Sequence, residues 1–257
     1  MILINAGAVL LWVTRVSFPQ GPGDIEQIVL RWIHLTAGIT WLGLLYFFNL
    51  VNVPFQKSLD PASKSKVIPL LMSRALWWFR WSAVLTVLAG LRYFTILAKL
   101  DAVNAGNLGL MGRWLGGWFV IWVIAWALQY LLLKFARGPF ADGRVLAVPL
   151  AAIIIAATWA VLQWIGSPTA GNRTLSISVG GGMGLFMLLN VWGVIWRCQK
   201  RLIAWTKANA EQGTPIPAES VRLARLAFLN SRMNFWLSFP MLFFMAASAH
   251  YPFLSGQ

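Results

Sequence analysis

Apolar residues run through this chain in blocks too long for one face of a soluble helix. The block at 30–52, LRWIHLTAGITWLGLLYFFNLVN, sets the pattern. About 20 consecutive apolar residues suffice for a helix to cross the hydrocarbon core of a bilayer. Six such spans are expected, at 28–52, 75–98, 114–135, 145–165, 174–197 and 224–250. Their connections fall at 54–73, 99–113, 136–144, 166–173 and 198–223. Lipid offers no partner to a free N–H or C=O, so spans that are not a closed barrel must be helices. The expected fold is an all-α, polytopic transmembrane bundle forming one integral membrane domain.

The edges of the pattern add detail. Residues 4–18, INAGAVLLWVTRVSF, are apolar but short and contain Arg15. Without a basic leader and a small-residue cleavage site they do not read as a signal peptide. A short first helix is expected there, crossing at a tilt or lying at the interface, with QGPGD at 20–24 breaking it. In the connection 198–223, RLIAWTKANAEQ extends the preceding helix until Gly213 and Pro215 stop it, and Ser220 is the expected N-cap of the last helix. Pro240 is expected to kink that helix. No polar stretch is long enough for a soluble domain, and no repeat is visible.

Composition agrees with the pattern. The chain is 59% hydrophobic and 11% charged, against roughly a quarter charged in soluble domains. The net charge of +14 does not point to nucleic acid, because basic residues in membrane proteins gather in loops on one side. Fifteen lysines and arginines, from Lys57 to Arg232, fall on one set of flanks and loops; Arg15, Arg31, Arg92, Lys99, Arg113 and Arg173 fall on the other. The richer set is assigned to the cytoplasm, so span 28–52 starts outside and the C-terminus ends outside. The single cysteine, Cys198, excludes an internal disulfide, a c-type haem site and a cysteine-held iron–sulfur cluster, and two histidines exclude a three-histidine metal site.

Those two histidines are the candidate chemistry. His34 sits near the outer end of the first span and His250 at the outer end of the last. Imidazoles on two helices at one level suit axial ligation of a b-type haem iron. Gly38, Gly90, Gly180 and Gly184 would leave room for a macrocycle, and Arg31, Arg92, Arg113 and Arg173 would meet its propionates with planar guanidinium forks. The same glycines equally suit close helix packing, and His250, before Tyr251 and Pro252, equally suits a helix end at the interface.

Three segments carry a family resemblance. RWIHLTAGITWLGLLYFFN at 31–49, RALWWFRWSAVLTVLAG at 74–90 and NSRMNFWLSFPMLFFMAASAHYP at 230–252 resemble the N-terminal membrane domain of bacterial membrane-bound urate hydroxylase. The resemblance implies a bacterial inner-membrane protein that couples to a respiratory chain through a C-terminal cytochrome c domain. No CxxCH is present here, so that domain is expected to be missing or supplied by another polypeptide, a separate cytochrome c. The family pattern also places histidines where Trp77 and Met233 stand, so the resemblance leaves only the outer pair, His34 and His250.

The leading expectation is an electron-transfer subunit of a respiratory or photosynthetic redox complex, with one haem b in the outer leaflet. Beside it stand a haem-free subunit that anchors or assembles a larger complex and, third, a urate hydroxylase-like oxidoreductase. A transporter ranks lower, because no span carries a midplane carboxylate.

Overall fold

The computed structural model describes residues 21–136, 138–166 and 169–254. The expected helix at 4–18 lies outside the described residues. Among those described there are six long helices and no strand: α1 (Pro22–Ser58), α2 (Pro61–Asn104), α3 (Gly109–Phe135), α4 (Gly143–Ile165), α5 (Asn172–Gln212) and α6 (Glu219–His250). The first five are long and apolar enough to cross a membrane. The sixth has the length, but Asn230, Asn234 and Ser238, all fully buried, dilute its apolar character.

Large apolar side chains cover the outside as well as the core. Trp32, Leu70, Val148, Ile155 and Trp159 are each at least 65% exposed. Such a surface suits contact with hydrocarbon. Trp77 and Trp78 belong to this outer layer, whereas Trp114, Trp118 and Trp122 of α3 are buried packing residues. The Trp118 indole donates to Ser178 O at 2.7 Å, and Trp122 lies so close to Gly182 that an added Cβ would sit 1.8 Å from its Nε1. The glycine run of α5 is therefore read by two neighbours at once, since Gly180 abuts Met241 O of α6.

Two expectations about boundaries are corrected. Most of 54–73 is helical, with α1 and α2 separated only by Leu59 and Asp60. The cause is the pair Asp60–Pro61. The Asp60 carboxylate accepts Ser63 N–H at 3.0 Å, and proline occupies the first helical turn, where its missing N–H costs nothing. At 44 residues, α2 is about 66 Å long and outruns the ~30 Å hydrocarbon core. Ser220 is not the N-cap of α6. That helix already includes Glu219, and the Ser220 N–H donates to Pro217 O at 2.9 Å. The end of α5 follows expectation, with Gly213 at φ +68° in the left-handed region that glycine alone enters cheaply.

Both α1 and α5 contain a π-helical turn, at Phe47–Asn52 and Val191–Ile195. Such turns re-aim side chains, and here they accompany buried amides. Asn190 donates to Asn234 Oδ1 at 2.8 Å, Asn234 to Met187 O at 3.0 Å, and Trp126 to Asn190 Oδ1 at 3.0 Å. Asn49 reaches Ser231 at 3.0 Å, and Gln129 reaches Asn230 at 3.2 Å. These bonds tie α1, α3, α5 and α6 together in the half of the bundle that carries most of the basic loops.

Candidate functional site at the outer cavity

The opposite half holds a cavity of about 700 Å³, within the ~300–1,000 Å³ of small-molecule and cofactor sites. Helices α1, α2, α5 and α6 form its walls, with Trp118 of α3 at the back. His34 faces it from α1. The ring is fixed by α2, since Nδ1 lies 2.8 Å from the backbone oxygen of Thr86. That oxygen can accept a second bond because a carbonyl carries two lone pairs, one of which serves the helix itself, while Thr86's own hydroxyl donates to Ser82 O at 2.7 Å. A carbonyl can only accept, so Nδ1 carries the proton in the neutral ring and Nε2 keeps its lone pair. An imidazole held through one nitrogen by a backbone carbonyl is the arrangement that orients histidine ligands toward a metal.

Glycine at 90 is required by this placement. A Cβ there would lie 2.8 Å from both Cε1 and Nδ1 of His34. The spacing of Thr86 and Gly90, one helical turn apart, makes one face of α2 both the acceptor and the platform for the ring. Gly38 and Gly184 also line the cavity; around Gly184 an added Cβ would meet nothing within 4 Å, so the missing side chain is open space. At the mouth, Arg31 and Arg173 supply the cavity's positive charges. Arg31 stacks 4.9 Å over the Tyr93 ring and donates to the Tyr93 hydroxyl.

Of the residues singled out in the sequence, the cavity thus gathers His34, Gly38, Gly90, Gly184, Arg31 and Arg173. Four stand elsewhere. Gly180 packs against α6. Arg92 pairs with Glu26 through two bonds of 2.7 and 3.1 Å. Arg113 lies 5.2 Å over the Trp164 ring, and its carbonyl accepts the indole N–H at 2.9 Å. His250 is exposed in the last turn of α6; Ser248 and Ala249 line the cavity beside it. Sequence reading did not pick out Thr86 or Tyr93. The signal for the first was the i, i+4 pair Thr86–Gly90 at the level of His34.

The donor set fits a b-type haem in part. A fixed imidazole with a free Nε2, bare glycine walls and two mouth cations match the ring, the iron and the propionates. The second axial position has no imidazole in the lining; His250 stands at the rim.

Residues 59–257 match the model of a family described as urate oxidase N-terminal. That span takes in α2 to α6, with Thr86, Gly90 and His250, and begins after His34. No curated protein and no solved structure matches the chain.

Proposed function

The chain belongs to the urate oxidase N-terminal family, and we propose that it is a membrane redox subunit that binds one b-type haem in the outer cavity. The observation that carries this reading is the 2.8 Å contact of His34 Nδ1 with Thr86 O, which fixes the ring of a cavity-lining histidine and leaves Nε2 as the nitrogen with an available lone pair. When bound, haem supplies reversible one-electron chemistry at iron. The protein's part is to hold and tune it. His34 would hold the iron through its imidazole, and His250, exposed beside the lining residues Ser248 and Ala249, would have to turn inward to join it. Arg31 and Arg173 offer donors to the propionates, and the apolar walls exclude water. Orientation follows the loop charges, with the cavity toward the periplasm of a bacterial inner membrane. A separate cytochrome c is the natural exchange partner on that side.

A urate hydroxylase reading ranks behind it, because no carboxylate lines the cavity and its imidazole base, His34, is the residue that haem would use. The test is a reduced-minus-oxidised spectrum of the purified protein, expressed with haem available. An α-band present in the parent chain and lost in His34→Ala supports the reading. A flat spectrum from folded parent protein overturns it and leaves the haem-free anchoring subunit.

A further inference from the structure

A second concavity, of about 1,040 Å³, runs along the outside of the bundle between α4 and α6. Apart from Thr158, its floor is apolar from Leu146 to Leu162 on α4 and from Phe228 to Phe244 on α6, except for charges toward one end. Those charges are Arg144, Arg232 and Asp142. Asp142 is already engaged, because its carboxylate accepts Arg144 N–H at 2.8 Å and caps α4. Arg232 is half-buried, lies over the Phe228 and Phe235 rings at 5.3 and 5.8 Å, and among the described residues pairs with no carboxylate. Arg144 stands in the first turn of α4 and Arg232 in the N-terminal half of α6, and both line the groove. Two guanidinium groups from different helices thus border one apolar groove.

We propose that this groove is a specific binding site for an anionic diacyl phospholipid. The charge end selects the phosphate, and guanidinium forks suit its oxygens. Below it, ten residues from Arg144 to Ile154 give about 15 Å of apolar floor, the depth of one leaflet of a ~30 Å core. A zwitterionic lipid of the same tails fills the same floor but brings its own cation to the arginines, which is where discrimination arises. The site does not depend on the outer cavity or on haem.

The experiment is native mass spectrometry of the purified full chain titrated with phosphatidylglycerol or with phosphatidylcholine of identical tails. The parent protein is expected to retain one phosphatidylglycerol in preference to phosphatidylcholine. A juxtamembrane cation contributes about fivefold, so Arg144→Gln with Arg232→Gln lowers retention of phosphatidylglycerol roughly thirtyfold. The double lysine variant keeps most of the preference, and Arg74→Gln, at the same end but outside the groove, keeps all of it. Ala151→Trp, which fills the floor, lowers retention of both lipids. Competition by inorganic phosphate without loss of the tails' contribution would assign the arginines to a free anion and overturn the lipid site. Equal binding of both lipids, or a preference that survives the double glutamine variant, overturns it as well. If the double variant fails to fold, the exposed single change Arg144→Gln carries the same expectation at about fivefold.

Discussion

The Tyr46 hydroxyl on α1 and the Ser238 hydroxyl on α6 lie 3.1 Å apart, which fixes the register of these two helices. Twelve residues separate Tyr46 from His34, and twelve separate Ser238 from His250. Because the helices run in opposite directions, both counts lead about 18 Å toward the same end of the bundle. The two histidines therefore share a depth, although only His34 lines the cavity. The register bond is local, a hydroxyl pair in the apolar interior. Its consequence appears about three turns away.

Gly90→Ala separates ring placement from folding. A methyl group at this position meets the His34 ring at 2.8 Å, and overpacking of that kind costs about 1–3 kcal/mol. Alanine is otherwise the better helix former by about 1 kcal/mol. The expected outcome is loss of most bound haem with little change in helical content by circular dichroism. Full haem occupancy in Gly90→Ala would show that the ring need not sit there.

The glycines of α5 give a contrast. Gly182→Ala drives a Cβ into the Trp122 indole, and a loss of about 1–3 kcal/mol in stability is expected. Gly184→Ala meets no atom within 4 Å and should leave stability unchanged or slightly raised. Gly184→Leu fills the cavity and should displace haem without unfolding. Denaturation in mixed micelles, read beside the absorbance ratio of haem to protein, checks all three.

The buried amide pair Asn190–Asn234 at 2.8 Å should couple α5 to α6. Interhelical hydrogen bonds in membranes average about 0.6 kcal/mol and reach about 1.7. A double-mutant cycle with Asn190→Leu and Asn234→Leu is expected in the upper part of that range, since Trp126 also donates to Asn190. Additive single effects would mean that the two amides do not act together.

Asp60 carries a pH dependence of known sign. The Ser63 side chain and N–H hold its carboxyl below its ordinary value, the side-chain hydrogen bond first. The folded form is thus the stronger acid, so the cap's contribution is full above the unfolded pKa, about 3.9, and is lost as pH falls through the lower folded value. Protection of the first-turn amides of α2 against hydrogen exchange, taken relative to the unstructured chain at the same pH, should fall below about pH 4. In Asp60→Ala that protection should be low at every pH. A parent protein showing no change in that turn on acidification would refute the cap.

The sequence by itself determined the class of fold and most of the helices, because a hydrocarbon solvent imposes one backbone solution on every long apolar run. It also determined the end of α5, since Gly213 is chemically legible as a left-handed stop. It did not reveal that α1 and α2 nearly join, because the polarity of 54–73 masks a strong helix start at Asp60–Pro61. Nor could it sort the glycines. Gly180, Gly182 and Gly184 are alike as letters, yet helix rotation turns one to α6, one to Trp122 and one to the cavity. The arginines divide in the same way, Arg31 and Arg173 at the cavity mouth and Arg92 and Arg113 engaged by Glu26 and Trp164. Depth along the membrane normal is a one-dimensional quantity that loop charges and residue counts supply. Rotation about each helix axis is set by packing with neighbours distant in the chain, and only the tertiary structure decides it.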